Sequence, residues 1–383
     1  MQCNKTEGGI MYNLLFIVGT LSGAGGVQRS LSLLCNELMK QERYNVTIYC
    51  INGSDIWFPL DSRIETVFLE QSIASEQRRK KGFIGRQVRL YKSIKSIVRM
   101  NKQSNYHLII GYGGSTRITI GLLLHLCMNK IVFCERENPE SKHVPLWSKI
   151  DNAIGVSLVR HTNIAFLTKT VMRYYKSTKK VAVIPCFIDL EMLPNAGDWQ
   201  NRDCKVISVG RYVYGKNQMM LIKAFISARE AYPQYSMELY GDGEIEDELM
   251  DLIKKCKAET YIKLMPSTTD IFSILNTARI FALSSNHEGY CNALLEAMAM
   301  GMACISTDCS GSVRDLIEDG VNGLVVPVND VDSMSKALIK LMENDGKAGE
   351  MANRAVAVRE TNAKEKVISD WIVFLNEMLE DAS

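Results

Sequence analysis

The chain has 383 residues, more than one typical domain, so we expect two or three domains. Its 46% hydrophobic and 23% charged residues are typical of a globular protein, and a net charge of +2 favours neither acidic nor basic partners. The eleven cysteines never form a C-x-x-C pair, which disfavours a zinc ribbon or thioredoxin-like site and indicates a reducing compartment.

Short, uniformly apolar runs alternate with longer helical stretches, which predicts parallel sheets with crossover helices. In the first half the predicted strands are Leu14–Val18, Val46–Ile51, Leu108–Ile110, Ile131–Cys134, Ala165–Leu167 and Val181–Ile184. In the second half they are Val206–Val209, Met237–Tyr240, Ile262–Leu264, Ile280–Leu283, Ala303–Ser306 and Gly323–Val326. The polar stretch 189–203, which contains Pro and Gly, is the predicted linker between the two sets.

We therefore predict an α/β fold with an N-terminal Rossmann-like domain over 1–195 and a C-terminal one over 196–360. A last helix, about Lys364–Leu379, has an apolar stripe, so residues 361–383 are expected to pack back on the first domain. No apolar run is long enough to span a bilayer and the first residues lack a signal-peptide pattern. A cytoplasmic location is therefore expected.

The first predicted strand leads into a glycine-rich loop with Gly25 and Gly26 just before a helix near Val27. Glycines at a helix start let an anionic group approach the backbone N–H groups closely. The loop is not a strict G-x-G-x-x-G, and no ribose-binding acid follows the second strand. A dinucleotide-dependent dehydrogenase is therefore disfavoured.

Residues 78–102 contain ten Lys or Arg and no acid. One predicted helical stripe is apolar, and a second contains Arg86, Arg89 and Lys92. Such a helix can lie on an anionic membrane surface or contact a lipid-linked diphosphate, and it can equally pack on its domain with a solvated basic face. Nucleic acid is disfavoured, because no recognition motif accompanies the charge.

In the second half, Gly210, Arg211 and Lys216 follow a buried strand, at the edge where open α/β sheets bind ligands. A guanidinium and an ammonium can clamp a diphosphate and stabilise its departure, although lone cations are usually only solvated. Gly241 and Gly243 follow the next strand and are expected to let the backbone approach a nucleotide.

The string from Ser284 to Gly301 follows a predicted strand that ends at Leu283, and it contains a loop that enters a helix near Cys291. Glu288 lies in the loop and Glu296 inside the helix, where a buried carboxylate can accept hydrogen bonds from a ribose diol or pair within the core. The N–H groups at this helix start are suited to sugar hydroxyls or phosphate, and they belong to Gly289, Tyr290, Cys291 and Asn292.

This string resembles the Glu, seven residues, Glu signature of retaining glycosyltransferases of family 4. Residues 303–327 resemble the family's closing turn-and-strand motif, and residues 208–217 resemble its diphosphate-binding segment. The resemblance implies a GT-B fold, two Rossmann-like domains facing across a cleft that the glycine loop borders. It also implies that Glu288 approaches the donor sugar and Glu296 holds the ribose.

A second segment, Cys134-Glu135-Arg136, resembles family members that extend lipid-linked bacterial glycans. The resemblance suggests Arg136 as a ligand for a phosphate and Glu135 as an acceptor of a hydrogen bond from the acceptor saccharide. A structural ion pair is an equally good interpretation of each.

We thus expect a retaining glycosyltransferase that moves a hexose or N-acetylhexosamine from a nucleotide sugar, UDP-linked by resemblance, to a polyprenyl-diphosphate-linked saccharide at the cytosolic membrane face. No metal cofactor is expected, because no Asp-x-Asp motif appears that would suggest a required cation. The alternatives are a nucleotide-sugar epimerase of the same fold and a non-catalytic sugar-nucleotide-binding partner.

Overall fold

The computed structural model describes residues 5–6, 9–23, 25–69, 83–127, 130–137, 146–175, 179–194, 198–268 and 270–380. Only the backbone is described at 5–6, 9–10, 83–84, 146–149 and 174. The chain forms two compact units, one of Met1–Pro185 with Ile368–Ser383 and one of Cys186–Val367.

The first unit contains, among its described residues, a seven-stranded parallel sheet of order β5-β4-β3-β6-β7-β8-β9. Its strands are β3 (Tyr12–Val18), β4 (Tyr44–Cys50), β5 (Glu65–Phe68), β6 (Leu108–Tyr112), β7 (Lys130–Glu135), β8 (Asn163–Phe166) and β9 (Val181–Val183), and a hairpin of β1 (Lys5–Thr6) and β2 (Gly9–Ile10) precedes them. Its helices are α1 (Gly26–Met39), α2 (Phe83–Ser104), α3 (Arg117–Leu123), α4 (Leu146–Val159) and α5 (Lys169–Tyr174).

The second unit contains a six-stranded parallel sheet of order β12-β11-β10-β13-β14-β15. Its strands are β10 (Asp203–Val209), β11 (Ser236–Tyr240), β12 (Ile262–Met265), β13 (Ala278–Leu283), β14 (Ala303–Thr307) and β15 (Leu324–Val326). Its helices are α6 (Gln218–Arg229), α7 (Glu246–Lys255), α8 (Ile271–Leu275), α9 (Asn292–Ala299), α10 (Gly311–Leu316), α11 (Val331–Glu343), α12 (Asp345–Ala355) and α13 (Val358–Thr361). The last helix, α14 (Lys364–Glu380), begins in this unit and ends in the first.

The central strands are buried along their whole length, because crossover helices cover both faces of each sheet. This burial explains why the strands read as continuous apolar runs, and all twelve predicted strands are confirmed. Strand β5 was not predicted: Glu65 and Thr66 interrupt its apolar character, since it forms an edge of the sheet.

The chain passes from the first unit to the second at Pro185–Cys186, so the predicted linker 189–203 lies inside the second unit. The predicted 195/196 boundary falls outside the described residues. The apolar stripe of α14 is buried, with Trp371 and Leu375 at its centre. Among the helices that the structure describes, none is long and apolar enough to cross a bilayer.

Candidate donor-binding site

The candidate site lies where the strand order of the second sheet reverses. Strand β10 stands between β11 and β13, so successive connections leave it towards opposite edges of the sheet. The loops that follow β10 and β13 start side by side at the carboxyl edge, because all the strands are parallel. Open α/β sheets bind their ligands at this position.

The two loops meet through an ion pair between Lys216 and Glu288. Lys216 Nζ donates to Glu288 Oε1, and Ser285 Oγ donates to the same oxygen at 2.7 Å. Burial alone would lower the pKa of Lys216, but the Glu288 carboxylate outweighs burial and the pKa is raised. The ammonium therefore stays charged at neutral pH, which is the state that binds a phosphate.

Backbone contacts hold Lys216 in place. Ser284 Oγ donates to the Lys216 carbonyl at 2.9 Å, and the Asn286 N–H donates to the Gly215 carbonyl at 2.8 Å. Asn217 then adopts a left-handed conformation, with φ 51°, and starts α6. These hydrogen bonds hold the loop after β10 against the loop after β13. The two residues of the ion pair, one in each loop, are thereby kept close together.

The neighbouring glycines have a packing role that the sequence did not reveal. A Cβ on Gly241 would lie 2.2 Å from the Gly210 carbonyl oxygen, and a Cβ on Gly243, where φ is +152°, would lie 2.3 Å from that of Tyr212. The loops after β10 and β11 therefore touch backbone to backbone, which only glycine permits. Arg211 lies in the first of these loops with an exposed side chain.

Helix α9 begins four residues after Glu288, at Asn292. Its N-cap is Cys291, whose N–H donates to Ser312 Oγ at 3.2 Å and whose Sγ lies 4.0 Å from Cys309 Sγ. The pKa of Cys309 is raised by the hydrogen bond with Cys291 and by burial. Gly289 and Asn292 are half-buried beside the helix start.

Glu296 is buried inside α9, as its apolar flanks predicted. Tyr290, also buried, accepts a hydrogen bond at its hydroxyl from Asn362 Nδ2 at 2.9 Å. Among the described residues, no group of three or more His, Cys, Asp or Glu is placed to hold a metal ion.

In the first unit, the glycine loop lies at the corresponding reversal of strand order, after β3. Gly25 is the extended N-cap of α1 and Gly26 is its exposed first residue. The predicted helix start is thus confirmed, and a donor-binding role for both glycines stays a prediction.

The structure supports the structural interpretation of Glu135. Glu135 is fully buried, and its Oε2 accepts Arg117 Nε at 2.8 Å and the Tyr175 hydroxyl. Its Oε1 accepts the N–H of Glu137 at 3.0 Å. Both carboxylate oxygens already have partners inside the unit, so an acceptor hydroxyl would have to displace one of them.

Arg136 is buried as well. Its Nη2 donates to the Tyr112 hydroxyl at 2.7 Å, and its guanidinium lies 4.8 Å from the Tyr112 ring centre and 5.9 Å from that of Trp371. This side chain joins α14 to β6 within the first unit. The geometry favours a packing role over direct phosphate contact.

Helix α2 exposes part of its predicted apolar stripe. Arg86 forms an ion pair with Asp151, so its charge is offset by a neighbouring acid although its side chain is 38% exposed. The apolar Val88 and Tyr91 are 39% and 65% exposed, whereas Ser93 and Ile97 face the core. The exposed side of α2 thus combines two apolar residues with basic ones, which are Lys95, Arg99 and Lys102. Arg89 and Lys92 are half-buried beside them.

Three side chains that support these groups were not predicted from the sequence, namely Ser285, Arg117 and Asn362. Ser285 lies within the string already singled out, and a hydroxyl three residues before Glu288 was the available signal. Arg117 and Asn362 carry no local signal, because each acts on a residue far away in the sequence.

Residues 191–358 match the family model described as glycosyl transferases group 1. Three relatives support the match. An uncharacterized glycosyltransferase of Haemophilus influenzae is 25% identical, covering 94% of this chain and 99% of its own. The N-acetylgalactosamine-N,N'-diacetylbacillosaminyl-diphospho-undecaprenol 4-alpha-N-acetylgalactosaminyltransferase of Campylobacter jejuni is 29% identical over 55% of this chain and 57% of its own. The UDP-Gal:alpha-D-GlcNAc-diphosphoundecaprenol alpha-1,3-galactosyltransferase of Escherichia coli is 23% identical over 90% of both.

The fold is shared with HepE of Anabaena, whose crystal structure contains UDP and glucose. The TM-score is 0.75 at 16% identity, covering 96% of this chain and all of HepE. The two parallel α/β units are those of a GT-B protein, which confirms the predicted fold class. Residues 191–358 therefore form a group 1 glycosyltransferase domain.

Proposed function

We propose that the chain is a glycosyltransferase that uses a UDP-sugar as donor and transfers the sugar with retention of anomeric configuration, as in family 4. The Lys216–Glu288 ion pair at the reversal of strand order carries the proposal. It places a fixed cation and a fixed anion at the edge where a sheet of this order binds a nucleotide. The donor is supported by HepE, which is similar in fold and was crystallised with UDP.

In this proposal, Lys216 and the exposed Arg211 bind the donor diphosphate and stabilise the negative charge that develops as it leaves. Their two positive charges replace a divalent cation, so chelation by EDTA should leave the rate unchanged. Glu296 binds the ribose diol, and the N–H groups of 289–292 face the sugar or its phosphate.

Glu288 binds the donor sugar rather than attacking it. Its Oε1 already accepts hydrogen bonds from Lys216 and Ser285, which fix the carboxylate as an oriented hydrogen-bond acceptor. The acceptor hydroxyl then attacks from the side of the leaving group, and a phosphate oxygen takes its proton. The new glycosidic bond forms as the bond to the diphosphate breaks.

The proposed acceptor is a saccharide on a polyprenyl diphosphate. The names of the Campylobacter and Escherichia relatives describe diphospho-undecaprenol substrates. The exposed side of α2 supports the same class, because Val88 and Tyr91 can enter a membrane interface while Lys95, Arg99 and Lys102 meet anionic headgroups. We therefore place the enzyme at the cytosolic membrane face as a peripheral protein.

The test compares Lys216→Met with Lys205→Met in an assay with a panel of UDP-sugars and undecaprenyl-diphosphate saccharides. Lys216→Met should lower turnover about 10²–10³-fold, the typical loss when one charge-stabilising donor is removed. Lys205 pairs with Glu238 on the sheet, so its replacement removes a lysine ion pair away from the site and should leave turnover intact.

Circular dichroism checks that both variants fold. Wild-type turnover by Lys216→Met would contradict the proposed role of the ion pair. Interconversion of UDP-sugars without any acceptor would identify an epimerase, and donor binding without product from any acceptor would identify a non-catalytic binding protein.

A further inference from the structure

Asn362 is a buried polar residue that lies just beyond the segment matching the family model. It follows α13, is 5% exposed and sits 72 positions after Tyr290. The matched segment ends at residue 358. A buried side-chain amide is costly unless its groups are satisfied, so its hydrogen bonds show which parts of the chain it holds.

The Asn362 side chain forms three hydrogen bonds. Its Nδ2 donates to the Tyr290 hydroxyl at 2.9 Å and to the Cys186 carbonyl at 2.8 Å, and its Oδ1 accepts Thr361 Oγ1 at 2.9 Å. Both N–H donors are therefore used, each on a different segment of the second unit. Because the amide is held from both ends, its orientation is fixed.

The backbone around Asn362 is tied to the start of the second unit. The Ile188 N–H donates to the Asn362 carbonyl at 2.8 Å, and the Lys364 N–H donates to the Ile188 carbonyl at 3.0 Å. Lys364 Nζ also donates to Asp189 Oδ2 at 2.8 Å. Residues 186–189 and 362–364 are the ends of the second unit, and they form one small rigid platform that carries the Asn362 amide.

Tyr290 connects this platform to the donor loop. Tyr290 is 9% exposed, and its carbonyl accepts the N–H of Asn292 at 3.0 Å. It lies two residues after Glu288 and next to Cys291, the N-cap of α9. A shift of the Tyr290 ring would therefore move the N–H groups that the proposed function assigns to the donor.

We propose that Asn362 is a positioning residue for donor binding. It holds the Tyr290 hydroxyl, and through Tyr290 it fixes the backbone of residues 288–291 in the geometry that binds the nucleotide sugar. The inference rests on the proposed donor site in this loop. It adds a residue outside the loop, and outside the family match, on which donor affinity depends.

The experiment measures UDP binding by calorimetry on the full chain, with Asn362→Leu, Tyr290→Phe and the double variant. Each single variant should weaken UDP binding about tenfold. The double variant should bind no more weakly than the weaker single variant, because one interaction is removed by either change. Should Asn362→Leu fail to fold, Tyr290→Phe still tests the link, since it removes only the hydroxyl.

Lys364→Met is the matched control. It removes only the side-chain pair with Asp189, and the Asn362 amide and the backbone hydrogen bonds with Ile188 stay in place, so UDP affinity should remain at the wild-type value. A merely structural role of Asn362 would weaken folding in Asn362→Leu, with no coupling to Tyr290 in UDP affinity.

The outcomes separate this inference from the proposed function. Wild-type UDP affinity in Tyr290→Phe and Asn362→Leu, or additive losses in the double variant, would overturn the positioning role while the donor site stands. If the wild-type chain itself does not bind UDP, the proposed donor site fails and the positioning role fails with it.

Discussion

Lys216 and Glu288 are 72 positions apart, and each carries only half of the chemistry of the site. The sequence placed both after buried strands, and that placement is confirmed by β10 and β13. Their contact depends on β13 pairing with β10, which no local pattern encodes. The sequence therefore predicted which residue types lie at the site, but it did not predict which of these residues contact each other.

For the glycines too, the sequence predicted their position but not the contact that requires them. Gly241 was predicted from its position after a strand, but the reason it must be glycine is the Gly210 carbonyl 2.2 Å from the position of a Cβ. This contact joins the loop after β11 to the loop after β10.

Gly241→Ala should destabilise the second unit by about 1–3 kcal/mol, the usual cost of forcing an extra carbon into a packed site. Urea unfolding measured by circular dichroism checks the loss. Gly346→Ala is the control, because a Cβ there lies 3.6 Å from Asn344 Oδ1 at the start of α12. It should be neutral or stabilising by about 0.5–1 kcal/mol. Equal stability of the two variants would contradict the packing role of Gly241.

Among the elements, α2 shows most clearly what the sequence left open. Its amphipathic pattern allows the apolar stripe either to face a membrane surface or to pack on the domain. The structure turns the helix so that Ser93 and Ile97 face the core and Tyr91 is exposed. Packing against the sheet decides this rotation, because both orientations satisfy a period of 3.6 residues.

Replacing Lys95, Arg99 and Lys102 together by Glu should reduce sedimentation with anionic liposomes at least tenfold. Each basic residue near an anionic surface contributes about 1 kcal/mol of attraction, and the change reverses three charges. Arg86 is left unchanged, because its ion pair with Asp151 belongs to the fold.

The control replaces Lys223, Lys263 and Lys336 by Glu, three exposed residues of the second unit that give the same change in net charge. This variant should sediment like the wild type. Equal loss in both triple variants would show that net charge rather than α2 governs the attraction, and no loss in either would reject membrane binding by α2.

For the whole molecule, the position of a residue along the chain does not show which of the two units it belongs to. The last residues, Ile368–Ser383, belong to the first unit although they follow the second in sequence. Trp371 is 1% exposed there, and its ring packs beside Phe374 and the Arg136 guanidinium. The stability of the first unit therefore depends on the end of the chain.

Trp371→Ala should destabilise the first unit by about 3–5 kcal/mol, the range for removing a large buried aromatic side chain. Hydrogen exchange should rise within residues 1–185. Val373→Ala on the same helix should change little, because Val373 is 54% exposed. Faster exchange confined to residues 186–367 would contradict the assignment of Ile368–Ser383 to the first unit.

The sequence by itself determined the parallel α/β class, the twelve predicted strands and the residues that follow them, because burial on both faces of a sheet leaves a local apolar signature. It also determined the buried stripe of α14. Only the tertiary structure decided that Lys216 meets Glu288, that Glu135 is already paired with Arg117, and that Asn362 holds Tyr290. These pairs depend on strand order and on contacts between distant segments, and a hydrogen bond formed between distant segments leaves no periodic trace in either one.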